Sequence, residues 1–176
     1  MIAELARAME DPSRLAGTHW FFPANVMALV EVARSELVSE QVHADVVGFL
    51  VSLGKRPVVV KDSPGFFLTR FVNTWVAEAI RLIEEGVAGP AERDEMVKSG
   101  LGWPMGIFEL MDGSGGFDAL YDAQQYLREK CGERYDIPPL AERARAAGYR
   151  GNPKVNPESR GGWHAFYAEQ MSDTGA

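Results

Sequence analysis

Cysteine is nearly absent: Cys131 is the only one in 176 residues. A single thiol excludes an internal disulfide framework and any zinc site built from cysteines. Long apolar runs are missing as well, and none approaches the ~20 residues that span a bilayer. The opening MIAELARAMEDPSRLAG carries acidic residues early and lacks a separate basic segment and apolar core, so it does not read as a signal peptide. Positive charge is in deficit, with 18 Lys and Arg against 25 Asp and Glu and a net charge of −7. A polyanion of this size is a poor default partner for nucleic acid or for an anionic membrane. The expectation is a soluble, cytoplasmic protein with no nucleic-acid or membrane partner and no metal site. What is present is a core: 46% of the residues are hydrophobic and 24% charged, which argues against disorder. The length suits one domain, or a domain plus a fragment, since domains run to about 100–200 residues.

Helix and strand signals alternate over the first third of the chain. Residues 2–9 read as a short helix stopped by Asp11-Pro12-Ser13. Residues 16–22, rich in aromatics, read as a buried strand, and ALVEVA at 28–33 as a second strand interrupted by Glu31. Ser39 is placed to cap a helix running to Leu53, with Val42, Val46, Phe49 and Leu50 on one face and Gly54 closing it. Pro57 to Val60 is the clearest strand. This alternation favours a mixed or parallel sheet. From Pro64 onward the period becomes helical: Phe67, Phe71, Val72, Trp75, Val76, Ala79, Ile80 and Ile83 share one face for five turns, and Gly86 stands at the C-cap. Further helices are expected over 91–99, 105–112, 117–130 and 138–147. The Gly- and Pro-rich stretch 148–176 reads as loop, held back by Trp163, Phe166 and Tyr167.

Few residues suggest chemistry. Of the three histidines, His43 sits beside Glu40 and Asp45 and reads as solvated, and His164 falls within the aromatic cluster and reads as packing. His19 and Glu31 each interrupt an apolar strand. Adjacent strands would bring them within hydrogen-bond reach, about 2.6–3.2 Å, either as an acid–base pair or as a buried pair that merely satisfies itself. A carboxylate there would fix the imidazole tautomer. Thr69 offers a hydroxyl to a ligand or simply lies on a helix surface. Trp103-Pro104-Met105-Gly106 is a tight turn entering a helix. Gly113-Ser114-Gly115-Gly116 has the composition of a phosphate loop but follows a helix and lacks the Lys-Ser/Thr ending. Arg143, Arg145 and Arg150 form a small basic patch, open to an acidic ligand or to solvent.

Three collinear segments resemble one family. GTHWFFPANVMALVEV (17–32) resembles the G-x-H-F-F-N-P-x-x-x-M-x-L-V-E-V signature of the 3-hydroxyacyl-CoA dehydrogenases. KDSPGFFLTR (61–70) resembles their K-D-x-P-G-F-x-x-N-R, and GLGWPMGIFELMD (100–112) their G-x-G-x-P-M-G-P-F-E-L-x-D. The resemblance covers nearly all of residues 2–125 and, more loosely, GGWHAFY at 161–167.

The resemblance implies an α+β, mostly α fold. Residues 1–62 correspond to the terminal strands and helices of a Rossmann-type NAD-binding domain. Residues 63–176 correspond to an all-helical, 6-phosphogluconate-dehydrogenase-like C-terminal domain for dimerisation and substrate. His19 is implied as the acid–base that moves the hydroxyl proton while hydride passes to or from nicotinamide, and Glu31 as its orienting partner. Thr69, Phe22, Pro104 and Met105 fall at substrate-binding positions. Thr69 and Phe22 both replace an Asn of the family pattern, Asn25 replaces a Pro of N-P-V-P, and Ile107 the second Pro of P-M-G-P. NAD is the implied cofactor, but the family's Gly-rich turn lies upstream of the point that Met1 matches, and no cofactor-binding residue is identified. The implied partners are a second copy through the helical domain, an acyl-CoA or related hydroxy-acid substrate, and a separate nucleotide-binding chain or a longer one. The alternative is a non-enzymatic, dimer-forming or ligand-binding remnant. An open sheet edge is also implied, to be covered by residues 1–10, a second subunit or a partner chain.

Overall fold

The β-branched run LVEVAR pairs on both sides and forms the middle of a three-stranded sheet, ordered β1 (Gly17–Trp20), β2 (Leu29–Arg34), β3 (Arg56–Lys61). The computed structural model describes residues 1–113 and 116–173, and within it the chain divides into two compact units, 1–70 and 71–176. Ser114 and Gly115 of the glycine-rich stretch lie outside the described residues. The sheet is mixed: β1 runs antiparallel to β2, and β3 parallel to it. A parallel neighbour requires a crossover, supplied by α2 (Glu40–Ser52). The Ser39 hydroxyl caps α2 by accepting from Val42 N, and Gly54 with φ 72° ends it.

Side chains alternate across a strand, so Val30 and Val32 of β2 point together and pack on Leu50, Val46 and Val47 of α2. Glu31 and His19 lie on the other face. Helix α2 differs from expectation in its phase. His43 is buried, because it shares the i, i+3, i+4, i+7 stripe with Val46, Val47 and Leu50, whereas Phe49 points away and is 60% exposed. The first strand is shorter and wetter than a buried run: only Gly17 is buried, and Phe22 lies beyond its end, 80% exposed. Helix α1 is also short (Ile2–Ala6), its first two N–H groups donating to the Asp62 carboxylate at 3.0 and 2.8 Å. It adds no strand to either sheet edge. Among the described residues both outer strands keep an unpaired side, and Val58 and Val59 of β3 are half exposed.

The second unit is helical. Helix α3 (Leu68–Glu84) enters it and is followed by α4 (Pro90–Leu101), α5 (Ile107–Gly113), α6 (Gly116–Cys131), α7 (Pro139–Ala146) and α8 (Trp163–Asp173). Val76, Ala79, Ile80 and Ile83 of α3 form one wall of its core, against Phe108, Phe117, Leu140 and Trp163. The C-terminal segment is not all loop. Trp163 and Phe166 are buried as an anchor, but the anchor is helix α8, whose first N–H groups are held by Asp112 from another helix rather than by a local cap. Two of the three residues of the basic patch are paired within the fold: Arg145 pairs with Asp122 and Asp118 and stacks on Tyr121, and Arg150 pairs with Asp118.

Candidate active site

Residues facing each other across a non-bonded or bonded antiparallel pair carry Cβ atoms about 4.5–5.5 Å apart on one face. The register places His19 directly opposite Glu31. Their side chains meet, with His19 Nδ1 2.7 Å from Glu31 Oε2. Glu31 is 2% exposed, and its second oxygen accepts from the backbone N–H groups of Phe67 and Leu68 at 3.1 and 3.0 Å. Three donors therefore converge on one carboxylate. A carboxylate only accepts, so Nδ1 of His19 donates to it, and in the neutral imidazole Nε2 is the nitrogen with the free lone pair. The imidazole is 31% exposed, with Phe21 packed on it at 4.6 Å between centroids and Phe66 at 6.0 Å. An imidazole fixed in one tautomer, with its second nitrogen able to exchange a proton with a ligand oxygen, has the geometry of a general acid–base.

The remaining expected site residues are distributed over both units. Phe22 stands on an exposed loop whose carbonyls at Ala24 and Met27 accept from Lys55 Nζ at 2.6 and 2.9 Å. Thr69 lies in the first turn of α3, half-buried, one residue beyond the N–H of Leu68 that holds Glu31. Pro104 and Met105 belong to the helical unit and are exposed, next to Trp103, which stacks on Trp75 at 4.2 Å. The residues that sequence reasoning missed are Phe66, Phe67 and Leu68. The signal for them was Pro64-Gly65, which forces a turn at the point where the chain passes Glu31.

A second histidine cluster lies in the helical unit. His164 Nδ1 is 2.7 Å from Asp112 Oδ2, and its Nε2 is 3.1 Å from Asp94 Oδ2. Asp94 also accepts from Phe108 and Glu109 N–H, and burial pushes its carboxyl up from the ordinary value. With both nitrogens engaged, His164 ties helices together rather than offering a free base. Its role is that of a polar bridge between Asp94 and Asp112, not the aromatic packing read from its neighbours.

NAD fits this chain only in part. The pair suits the reacting end of a nicotinamide and its substrate. A pyrophosphate needs free N–H groups at a strand-to-helix turn; at the turn into α2 Val42 N donates to Ser39, and at the turn into α3 Phe67 and Leu68 N donate to Glu31.

A small mixed sheet, a helical second unit and a carboxylate-oriented histidine are features found together in one class of oxidoreductase. The chain belongs to the 3-hydroxyacyl-CoA dehydrogenase family: the family's NAD binding domain matches residues 1–63 and its C-terminal domain residues 65–157. It is 43% identical over 111 residues to human mitochondrial hydroxyacyl-coenzyme A dehydrogenase, a match covering 63% of this chain and 35% of the human one. The crystal structure of (S)-3-hydroxybutyryl-CoA dehydrogenase from Ralstonia eutropha superposes with a TM-score of 0.81 at 36% identity, over 85% of this chain and 53% of that one. The Escherichia coli 3-hydroxybutyryl-CoA dehydrogenase gives 0.80 at 31% identity, over 88% and 33%. The chain thus spans about a third of the human relative and about half of the Ralstonia enzyme. Among the described residues no helix is long and apolar enough to cross a membrane.

Proposed function

We propose that this chain carries the acid–base and substrate half of an NAD-dependent oxidoreductase acting on 3-hydroxyacyl-CoA, or on a related hydroxy acid. The observation that carries it is the 2.7 Å contact between His19 Nδ1 and a Glu31 carboxylate otherwise saturated by backbone donors. In the oxidising direction Nε2 of His19 takes the proton of the substrate hydroxyl as its carbon gives up hydride. In reduction the same nitrogen returns the proton to the forming alkoxide. Glu31 balances the imidazolium that forms between these events. The nicotinamide, when bound, accepts or donates the hydride. Its pyrophosphate is held by a nucleotide-binding part, joined to this chain or carried by another.

Thr69 and Phe22 line the substrate approach in this reading. Where the family pattern has Asn, Thr69 keeps a hydroxyl, while Phe22 keeps no hydrogen-bonding group. That second replacement favours either a more apolar substrate or the alternative reading, a ligand-binding or dimer-forming remnant without turnover. The helical unit supports self-association: an almost wholly apolar cleft of about 350 Å³ runs between α3 and α4, lined by Trp75, Leu82, Met96, Leu101 and Trp103.

The test is titration of the purified chain with NADH, then acetoacetyl-CoA turnover followed by NADH absorbance, on material whose mass is set by light scattering. A dimer is expected, with turnover once a nucleotide-binding half is supplied, and His19→Gln should then reduce the rate by about 10²-fold or more, the usual scale for a lost general acid–base. A wild-type rate in that variant removes the role given to His19. Binding without turnover, in the presence of a nucleotide-binding half, selects the remnant.

A further inference from the structure

The turn that delivers the two N–H groups to Glu31 has an unusual construction. Ser63-Pro64-Gly65-Phe66 closes with Phe66 N donating to Ser63 O at 3.0 Å, and Gly65 has φ 68°. Pro at the second position and a positive-φ Gly at the third are the requirements of a type II turn. The chain does not return to ordinary backbone afterwards. Phe66 follows with φ 46°, the only residue other than glycine with positive φ among the described residues. For a bulky L-residue that conformation is strained. Glycine would adopt it freely.

Two consequences of this strained residue meet at the same pair. Its backbone reverses the chain so that the next two amides, Phe67 and Leu68, face Glu31 Oε1. Its ring then lies 6.0 Å from the His19 imidazole, the second aromatic neighbour after Phe21. The N–H groups fix where the carboxylate sits, and the ring limits how the imidazole turns.

We propose that Phe66 is a positioning residue: through its left-handed backbone and its ring together it holds His19 and Glu31 in the single arrangement in which Nδ1 is protonated and Nε2 is free. The inference rests on the acid–base reading of that pair and adds to it the element that enforces the geometry. Phe66 touches neither substrate nor cofactor in this role.

The experiment is ¹⁵N NMR of the His19 ring nitrogens in the full chain, with Phe66→Gly, Phe66→Ala and Phe66→Tyr compared with the wild type and with Glu31→Gln. Wild-type His19 is expected in the Nδ1–H form. If the wild type shows the Nε2–H form, the pair reading itself fails, whatever the Phe66 variants do. Glu31→Gln should release the ring and calibrate the response. Phe66→Gly keeps the backbone free to be left-handed, and so keeps the fold, but loses the ring. It should show an Nε2–H population absent from the wild type, Phe66→Ala should show more, and Phe66→Tyr should restore the single form. In a preparation with turnover, Phe66→Gly should lower kcat by up to about 10²-fold, the scale of a misplaced catalytic group, with KM unchanged. A folded Phe66→Gly chain with the wild-type tautomer overturns the proposal. So does a Phe66→Gly chain that fails to fold, since the residue would then be needed for stability alone.

Discussion

Carboxylates do much of the joining in this protein at the level of single residues. Asp62, Glu31, Asp94 and Asp112 each take two successive backbone N–H groups where a helix begins, and Glu84 takes one, from Leu140. Each negative charge meets the positive end of a helix dipole and satisfies donors that have no intrahelical partner. Room for two of these contacts comes from glycine. A Cβ on Gly106 would overlap the Asp94 carboxyl, and one on Gly162 would overlap that of Asp112. Gly162→Ala must therefore push Asp112 off the Trp163 and His164 N–H groups. A loss of about 1–3 kcal/mol is expected, as for a buried hydrogen-bonded group left without partners. The midpoint of urea unfolding measures it, and an unchanged midpoint would show that Asp112 can shift at no cost.

At the level of elements, α3 carries the core of the helical unit. Ile80 is 2% exposed among Phe108, Phe117 and Trp163, so Ile80→Ala should cost about 2–5 kcal/mol by transfer and cavity terms together. Calorimetry that finds less than about 1 kcal/mol would mean the core collapses around the gap. This helix was plain in the sequence because its apolar spacing is helical throughout, although Phe67 precedes the helix and Phe71 is exposed, so that the buried stripe is shorter than the five turns expected. The meeting of β1 with β2 was legible in part: His19 and Glu31 each interrupt an apolar run and so suggest a shared face, while the register that sets them opposite comes from the structure. Helix α8 was hidden for a physical reason. Glycine and proline dominate the residues before it, and its N-terminal partner, Asp112, lies far away in sequence. His43 was misread because its polar neighbours Glu40 and Asp45 suggested water. Helical phase, not adjacency, decides burial, and it groups His43 with Val46, Val47 and Leu50.

Across the whole molecule, these charges set how stability responds to pH. Tyr149 and then Arg160 hold the Glu169 carboxyl below its ordinary value, and Lys98 and the Gly106 N–H do the same for Glu109. A lowered folded-state pKa gives stability that is present above the usual carboxylate value and is lost as pH falls through the folded one. Asp94 has the opposite sign: raised by burial, it favours the folded state on the acid side and loses that contribution as pH rises through its raised value. The net expectation is a melting temperature that falls on acidification below the ordinary Glu range, offset in part by Asp94. Glu169→Gln should flatten that fall. An unaltered slope in the variant would assign the acid sensitivity elsewhere.

The contacts of Glu31 also bear on how the site comes into being. Its partners lie 12, 36 and 37 residues away, all on one side of the helical unit in sequence. Closing loops of that length costs little more entropy than closing shorter ones, because the penalty grows only with the logarithm of loop length. The pair is therefore a near-local assembly that can form as soon as one hairpin and one crossover are in place. The arrangement around Glu31 thus draws on no residue beyond Leu68, and forming it requires none of the helices that follow α3.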